Sequence, residues 1–261
     1  MIQNIRLNMN LGQSDREHLF ILGLSRSGTS LLATRVASSQ DVATVNGETF
    51  FFQKRDFSRV DISGVEIANY RAKFLAAHSQ VELFDAMADH AILQKPSARR
   101  FLEKTPDHIF MLPELLKAYP KARFVFSIRD PRDAYVSWQK HPQLGDAPVE
   151  EFARYWNRCH ATYSASAGDR IATVRYEDMC LNPDATLERV ANHFGLTQIA
   201  DTAEQTKEGS DWRYLKMGGH QRITDAINPG TLNAWKDILD PDAARVIEQQ
   251  CRNGMQHWQY V

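Results

Sequence analysis

Long hydrophobic runs are missing from this chain of 261 residues. No apolar stretch approaches the roughly 18 residues that a bilayer-spanning helix needs, and the N-terminal MIQNIRLNMNLGQSDREH is polar throughout. No membrane span is expected, and a soluble, unexported protein of the cytoplasm is predicted. Cysteine is scarce as well. Cys159, Cys180 and Cys251 stand far apart, match no metal-ligand spacing and are odd in number, so neither a disulfide framework nor a metal site is expected. An excess of charge of one sign is also lacking. The formal net charge of -1 offers no global attraction to nucleic acid or to an anionic membrane surface, so no nucleic-acid partner is predicted. Any anion site must come from local clustering of arginine and lysine. Repeats and low-complexity tracts are absent too. What is present is a hydrophobic content of 43%, enough to bury a full core in a single domain of residues 1–261.

Short apolar runs recur along the chain: HLFILGL (18–24), DVATV (41–45), RRFLEKT (99–105), ARFVFSI (122–128) and RIATVRY (170–176). Helical stretches lie between them. This alternation predicts an α/β fold whose central sheet is mostly parallel and flanked by helices. Such sheets bind ligands at the carboxyl ends of their strands, so the followers SRSGTS, NGE, KTP, RDPRD and YED should face one crevice. Residues 53–100 carry helical periodicity and no clear strand before Phe101, which suits a helical insert serving as a lid or acceptor-binding element. Residues 201–230 are polar and glycine-punctuated, a long loop expected over the active site. The final DAARVIEQQCRNGMQHW is helical.

The stretch GLSRSGTS (23–30) reads as a strand, a glycine-bounded loop and a helix start, which is where a phosphate would be held. Gly23 and Gly28 keep the spacing of the nucleotide-triphosphate loop G-x-x-x-x-G-K-[ST], but Thr29 stands where that loop has lysine. A glycine pair at such a turn also serves simple packing. The loop nonetheless offers the hydroxyls of Ser25, Ser27, Thr29 and Ser30, the helix N-terminal amides and the charge of Arg26. In FVFSIRDPRDAYVSW, Arg129 ends a buried strand and Ser137 follows on the helix begun near Pro131, so both could reach one phosphate. Arg129, Asp130 and Arg132 could equally form an ordinary ion-pair cluster. Asp130, set between Arg129 and Pro131, is no convincing magnesium ligand.

Together these stretches resemble the sulfotransferase family that uses 3′-phosphoadenosine 5′-phosphosulfate (PAPS). LSRSGTSLL is similar to the family's phosphosulfate loop in its arginine form, P-R-S-G-T-[TS]-L, in which Thr29 is the expected residue. SIRDPRDAYVSW resembles its 3′-phosphate motif, with Arg129 and Ser137 as the arginine and serine. FLEKTP (101–106) resembles the E-K-[ST]-P segment, which implies that Lys104 lies near the transferred group. VRYEDMCLNP resembles the Y-E-D element, which implies that Tyr176 lies by the adenine. NPGTLNAWK departs from the R-K-G-x-x-G-x-W-K of cytosolic members: Gly230, Trp235 and Lys236 align, while Asn228 and Pro229 replace the arginine-lysine pair. Lys216 and Arg222 are candidates to compensate.

The resemblance implies a PAPS-dependent enzyme that sulfates a hydroxyl or amine of a small-molecule, glycan or tyrosyl acceptor without a metal. Arg26, Ser27, Gly28, Thr29, Ser30, Arg129, Ser137 and Tyr176 are the expected cofactor contacts. Arg26 and Lys104 would stabilise charge at the transferred group, an effect of about 10²- to 10³-fold per well-placed donor. Glu48 in VNGETFF is the candidate base, in a setting similar to the family's G-E-x-T but one residue shorter. Its alternative is a structural pair with an arginine. His108 is the runner-up base, though an exposed, unremarkable histidine is its expected identity. His18, His141 and His220 are expected to be non-catalytic. Phe50, Phe51 and Phe52 are expected in the core or the acceptor wall, and Trp138, Trp156 and Trp235 in packing. Two other readings stay open: a phosphotransferase using ATP and magnesium, and a non-catalytic nucleotide-binding protein of the same fold.

Overall fold

Five strands form where the five apolar runs lie: β1 (Leu19–Gly23), β2 (Val42–Thr44), β3 (Arg100–Lys104), β4 (Arg123–Ile128) and β5 (Ile171–Arg175). The computed structural model describes residues 10–45, 47–53, 76–142, 144–197, 199 and 229–261. All four strand pairings are parallel, in the order β2-β3-β1-β4-β5. The chain leaves β1 toward one edge and later crosses back to β4 on the other side. β1 is therefore the switch point, and a crevice opens at its carboxyl end. The register aligns Ile21 with Lys104 and Gly23 with Ser127, so the ends of β3 and β4 flank the loop that follows β1.

Alternate residues of β1 feed two separate cores, as a strand with both faces covered requires. Leu19 and Ile21 pack with Leu102, Val125 and Val174 under α1 (Thr29–Ala37) and a helix at Pro183–Phe194. Phe20 and Leu22 pack with Phe101, Phe124 and Phe126 on the other face. That larger core is roofed by α2 (Gln80–Gln94), α3 (Leu112–Ala118), α4 (Pro131–Gln139) and α5 (Val149–Ser166). The remaining helices are α6 (Tyr176–Leu181), α7 (the Pro183–Phe194 helix), α8 (Trp235–Ile238), α9 (Pro241–Gln250) and α10 (Arg252–His257).

Helix starts follow local chemistry. Ser79 caps α2 by accepting the Glu82 N–H, and Asp130 caps α4 by accepting the Arg132 N–H, with Pro131 in the first turn. Of the helical insert expected over 53–100, α2 accounts for the periodic VELFDAMADHAIL, while residues 54–75 lie outside the described residues. So does the polar segment 201–228, and with it Lys216, His220, Arg222 and Asn228. The three cysteines are free and buried. No helix among the described residues is long and apolar enough to cross a membrane.

Candidate active site

Gly23 ends β1 with φ of 135°, where an added Cβ would collide with the Ser127 backbone, and the loop from Leu24 to Gly28 leads into α1. The Leu24 N–H donates to the Ser127 carbonyl at 2.9 Å. Ser27 Oγ donates to the Leu24 carbonyl at 2.6 Å, and Ser127 Oγ donates to the Ser27 carbonyl at 2.8 Å. The Ser27 hydroxyl, expected among the anion donors, instead closes the loop on itself and on β4. The Ser25 N–H goes to Tyr155 Oη at 3.1 Å. Amides early in the loop thus hold its shape, while the first-turn N–H groups of α1, from Thr29 on, have no acceptor within the helix. Gly28 is the cap of that helix at φ 81°, and an added Cβ would stand 2.7 Å from the Tyr176 ring.

Two arginines lie close to one another, and one of them meets Ser137. Arg26, at φ 73°, donates from Nε to Ser137 Oγ at 3.2 Å. Arg129, 6% exposed, donates from Nη2 to the Thr231 carbonyl at 3.0 Å and from Nη1 to the Arg26 carbonyl at 3.4 Å. Its guanidinium lies 4.2 Å from the Tyr176 ring centroid, and its Nε is buried without a hydrogen-bond partner. Burial, followed by the charge of Arg129, lowers the Arg26 pKa. Among the described residues no carboxylate pairs with either arginine, whereas Arg132 pairs with Asp130 at 2.7 Å and with Glu248 at 2.7 Å. The expected ion-pair cluster therefore exists but excludes Arg129. Tyr176 Oη meets Thr231 Oγ1 at 2.9 Å. The Thr231 segment is held by Asp133, which accepts the N–H groups of Asn233 at 2.7 Å and Trp235 at 2.9 Å. Trp235 stacks under the Arg132 guanidinium at 4.1 Å.

Across the crevice, Lys104 is 2% exposed at the end of β3. Its Nζ donates to Glu48 Oε1 at 2.8 Å and to Ser30 Oγ at 3.2 Å, which joins the candidate base to the phosphate loop. Glu48 meets the Lys104 ammonium, its charge also acts on Arg26, and 21% of its side chain stays accessible.

His108 is not exposed. It is fully buried, with Nδ1 2.8 Å from Glu103 Oε2 and Nε2 accepting the Phe52 N–H at 3.3 Å. Nδ1 therefore carries the proton and Nε2 the lone pair, leaving no nitrogen for an acceptor molecule. Its sequence position beside KTP gave no sign of this, because the short 3-10 turn Pro106–Met111 turns the ring inward. The Glu103 carboxyl also accepts Thr105 Oγ1 at 2.6 Å and Thr49 Oγ1 at 2.9 Å. Burial pushes its pKa up, but the His108 ring and the two hydroxyls outweigh that and hold it below the ordinary glutamate value.

Sequence reasoning missed four supporting groups. Glu103 and Thr105 sit in the quoted FLEKTP, where their types, between a strand end and a proline, were the available signal. Asp133 lay in RDPRD. Tyr155 had none, being one aromatic on the amphipathic α5. Its hydroxyl lies 2.8 Å from Asp107 Oδ1 and 3.0 Å from Ser25 Oγ. Burial raises the Asp107 pKa, the Tyr155 bond opposes this, and the charge of Glu48 adds to the rise. His141 also feels this crevice: burial, then the charge of Arg26, lowers its pKa, against a smaller opposite pull from Glu48. His18 lies elsewhere, bound to Asp85 at 2.9 Å. Phe51 and Phe52 are buried in the larger core with Trp138 and Trp156, and Trp156 Nε1 donates to the Arg129 carbonyl at 3.1 Å.

A model of the sulfotransferase family matches residues 18–201, more than half of the chain. A putative protein-tyrosine sulfotransferase of Caenorhabditis briggsae is 24% identical over 249 residues, covering 88% of this chain and 84% of that protein. The omega-hydroxy-beta-dihydromenaquinone-9 sulfotransferase Stf3 of Mycobacterium bovis is 27% identical over 108 residues, 36% of this chain and 28% of that protein. Among solved structures, the sulfotransferase domain of the Synechococcus PCC 7002 olefin synthase superposes with a TM-score of 0.63 at 17% identity, over 93% of this chain and 96% of that one. Mouse sulfotransferase SULT7A1 complexed with PAP gives 0.58 at 14% identity, over 94% and 86%. Likeness at these identities speaks for the fold.

Proposed function

The chain belongs to the sulfotransferase family, and from that premise we propose that it moves a sulfuryl group from PAPS to the hydroxyl of an acceptor. The observation that carries this reading is the neighbouring pair Arg26 and Arg129, two cations that form no salt bridge with a carboxylate among the described residues, Arg26 bonded to Ser137 and Arg129 with a buried, unpartnered Nε. Such an arrangement favours a bound anion. PAPS carries two anionic groups, and the residues present fit both: the α1 N-terminus with Arg26 and Ser30 at the phosphosulfate, and Arg129 with Ser137 at the 3′-phosphate. The donor, when bound, supplies the activated sulfuryl group.

The chain's own residues do the rest. Glu48 takes the proton of the acceptor hydroxyl as that oxygen forms its bond to sulfur, and the bond from sulfur to the phosphate oxygen breaks. Arg26, Lys104 and the helix amides stabilise the charge that grows on the leaving phosphate. Lys104 links the two halves, since its ammonium already touches both Glu48 and Ser30. Two of the similar proteins, the putative protein-tyrosine sulfotransferase and Stf3, are named for a protein tyrosine and for an omega-hydroxy-beta-dihydromenaquinone-9, and both acceptors carry a hydroxyl. The test is incubation with PAPS and a panel of sugar, phenol, lipid and metabolite hydroxyls, read by mass spectrometry. Calorimetry accompanies it: PAP should bind far more tightly than ATP, with no need for magnesium. Equal affinity for ATP, or binding only with magnesium, would overturn the reading in favour of a phosphotransferase.

A further inference from the structure

We propose that Glu103 is a positioning residue of the active site: one buried carboxylate orients Thr49, Thr105 and His108 so that together they hold the loop that carries Glu48. The inference rests on the reading of Glu48 as proton acceptor. Four successive backbone N–H groups follow Glu48, and each is received by a side chain of this cluster. Thr105 Oγ1 accepts from Thr49 at 3.1 Å and from Phe50 at 3.2 Å. Thr49 Oγ1 accepts from Phe51 at 3.1 Å, and His108 Nε2 accepts from Phe52 at 3.3 Å.

A hydroxyl has one proton, so it accepts toward the loop with its lone pairs only if that proton points elsewhere. Here both hydroxyl protons and the His108 Nδ1 proton point to the same carboxylate. An ionised carboxylate can only accept, and this fixes the polarity of all three groups at once. The loop needs that restraint. Phe50 sits at φ 49°, a left-handed conformation costly for a phenylalanine, and persists only where the surroundings over-determine it. Phe51 and Phe52 plug the core on the far side. Glu48 stands at the near end, and the same segment sets its distance to Lys104.

Glutamine at this position has an amide that donates, so at least one of the three partners must turn its proton toward the loop and lose an N–H. Glu103→Gln should therefore lower kcat by about 10²-fold, the scale of a misplacement of roughly 1 Å in a reacting group. PAP affinity, measured by calorimetry, should change little, because Arg129 and Ser137 follow β4, across β1 from Glu103 on β3, and Arg26 lies in the loop after β1. Thr105→Val removes the hydroxyl at constant shape and should act likewise, while Thr105→Ser should restore the rate. Amide hydrogen exchange of the peptide covering residues 49–53 should accelerate in Thr105→Val and recover in Thr105→Ser. If Glu103→Gln does not fold, the Thr105 pair decides by the same readouts. Unchanged exchange and rate in Thr105→Val would overturn the proposal, as would a loss of PAP affinity as large as the loss of kcat. Exchange is read without turnover, so a protein that fails to transfer sulfuryl groups refutes the functional reading alone.

Discussion

Replacing Arg129 with alanine removes a guanidinium that is 6% exposed, stacked on Tyr176 and bonded to two backbone carbonyls. Both bonds have an ionised donor, and a well-formed one contributes about 1.5–3 kcal/mol net. Their loss is offset in part by relief of the repulsion that, after burial, lowers the Arg26 pKa. The variant should fold with reduced stability. Ligand binding is another matter, because a buried charge-assisted contact to a phosphate is worth about 2–5 kcal/mol. At 1.4 kcal/mol per tenfold, that is a loss of roughly 30-fold to a few thousandfold in Kd for PAP. Calorimetry should compare PAP with adenosine 5′-monophosphate, which lacks the 3′-phosphate, on the parent and variant proteins. The penalty should fall on PAP and spare the monophosphate. Equal losses for the two nucleotides, or none, would refute the assignment and leave Arg129 as a brace between Arg26 and Thr231. Arg129→Lys should recover only part of the affinity, since an ammonium cannot reproduce the planar fork.

Glu48→Gln keeps the size of the side chain but removes the titrating group, and turnover should fall by roughly 10²- to 10⁴-fold with PAP affinity nearly intact; a wild-type rate would remove Glu48 from its role. Gly28→Ala forces a left-handed φ on alanine, costing about 1–2 kcal/mol, and drives a Cβ to 2.7 Å from the Tyr176 ring. Thermal melts and PAP titration should both show the loss, and an unchanged affinity would mean that the loop tolerates displacement of Tyr176. The Glu103 pKa is depressed in the folded protein, so the stabilisation it contributes is fully present above its unfolded value near 4.5 and is lost as pH falls through the folded value. Urea melts from neutrality downward should show stability declining below about pH 4.5, with a shallower acid limb in Glu103→Gln; parallel limbs would contradict the depressed value.

The order of elements and the crevice were legible in the chain because their signals are local. Burial on both faces of a parallel sheet writes continuous apolar runs, and each of the five became a strand, with SRSGTS, KTP and RDPRD following β1, β3 and β4. The Gly23 and Gly28 spacing marked a turn whose positive φ values only glycine adopts cheaply. Partner choice was not legible, because it is settled by which side chains the sheet order brings across from one another. The β1-β3 pairing sets Lys104 beside Ser30, the β2-β3 pairing sets it beside Glu48, and the β1-β4 pairing brings the Ser127 hydroxyl against the Ser27 carbonyl. His108 shows the limit most plainly. Sequence assigns it a residue type that titrates near neutrality and a place two residues after a proline. Its burial and its tautomer come from Glu103 on one side and the Phe52 amide on the other, partners 5 and 56 positions away that meet it only once the chain has packed.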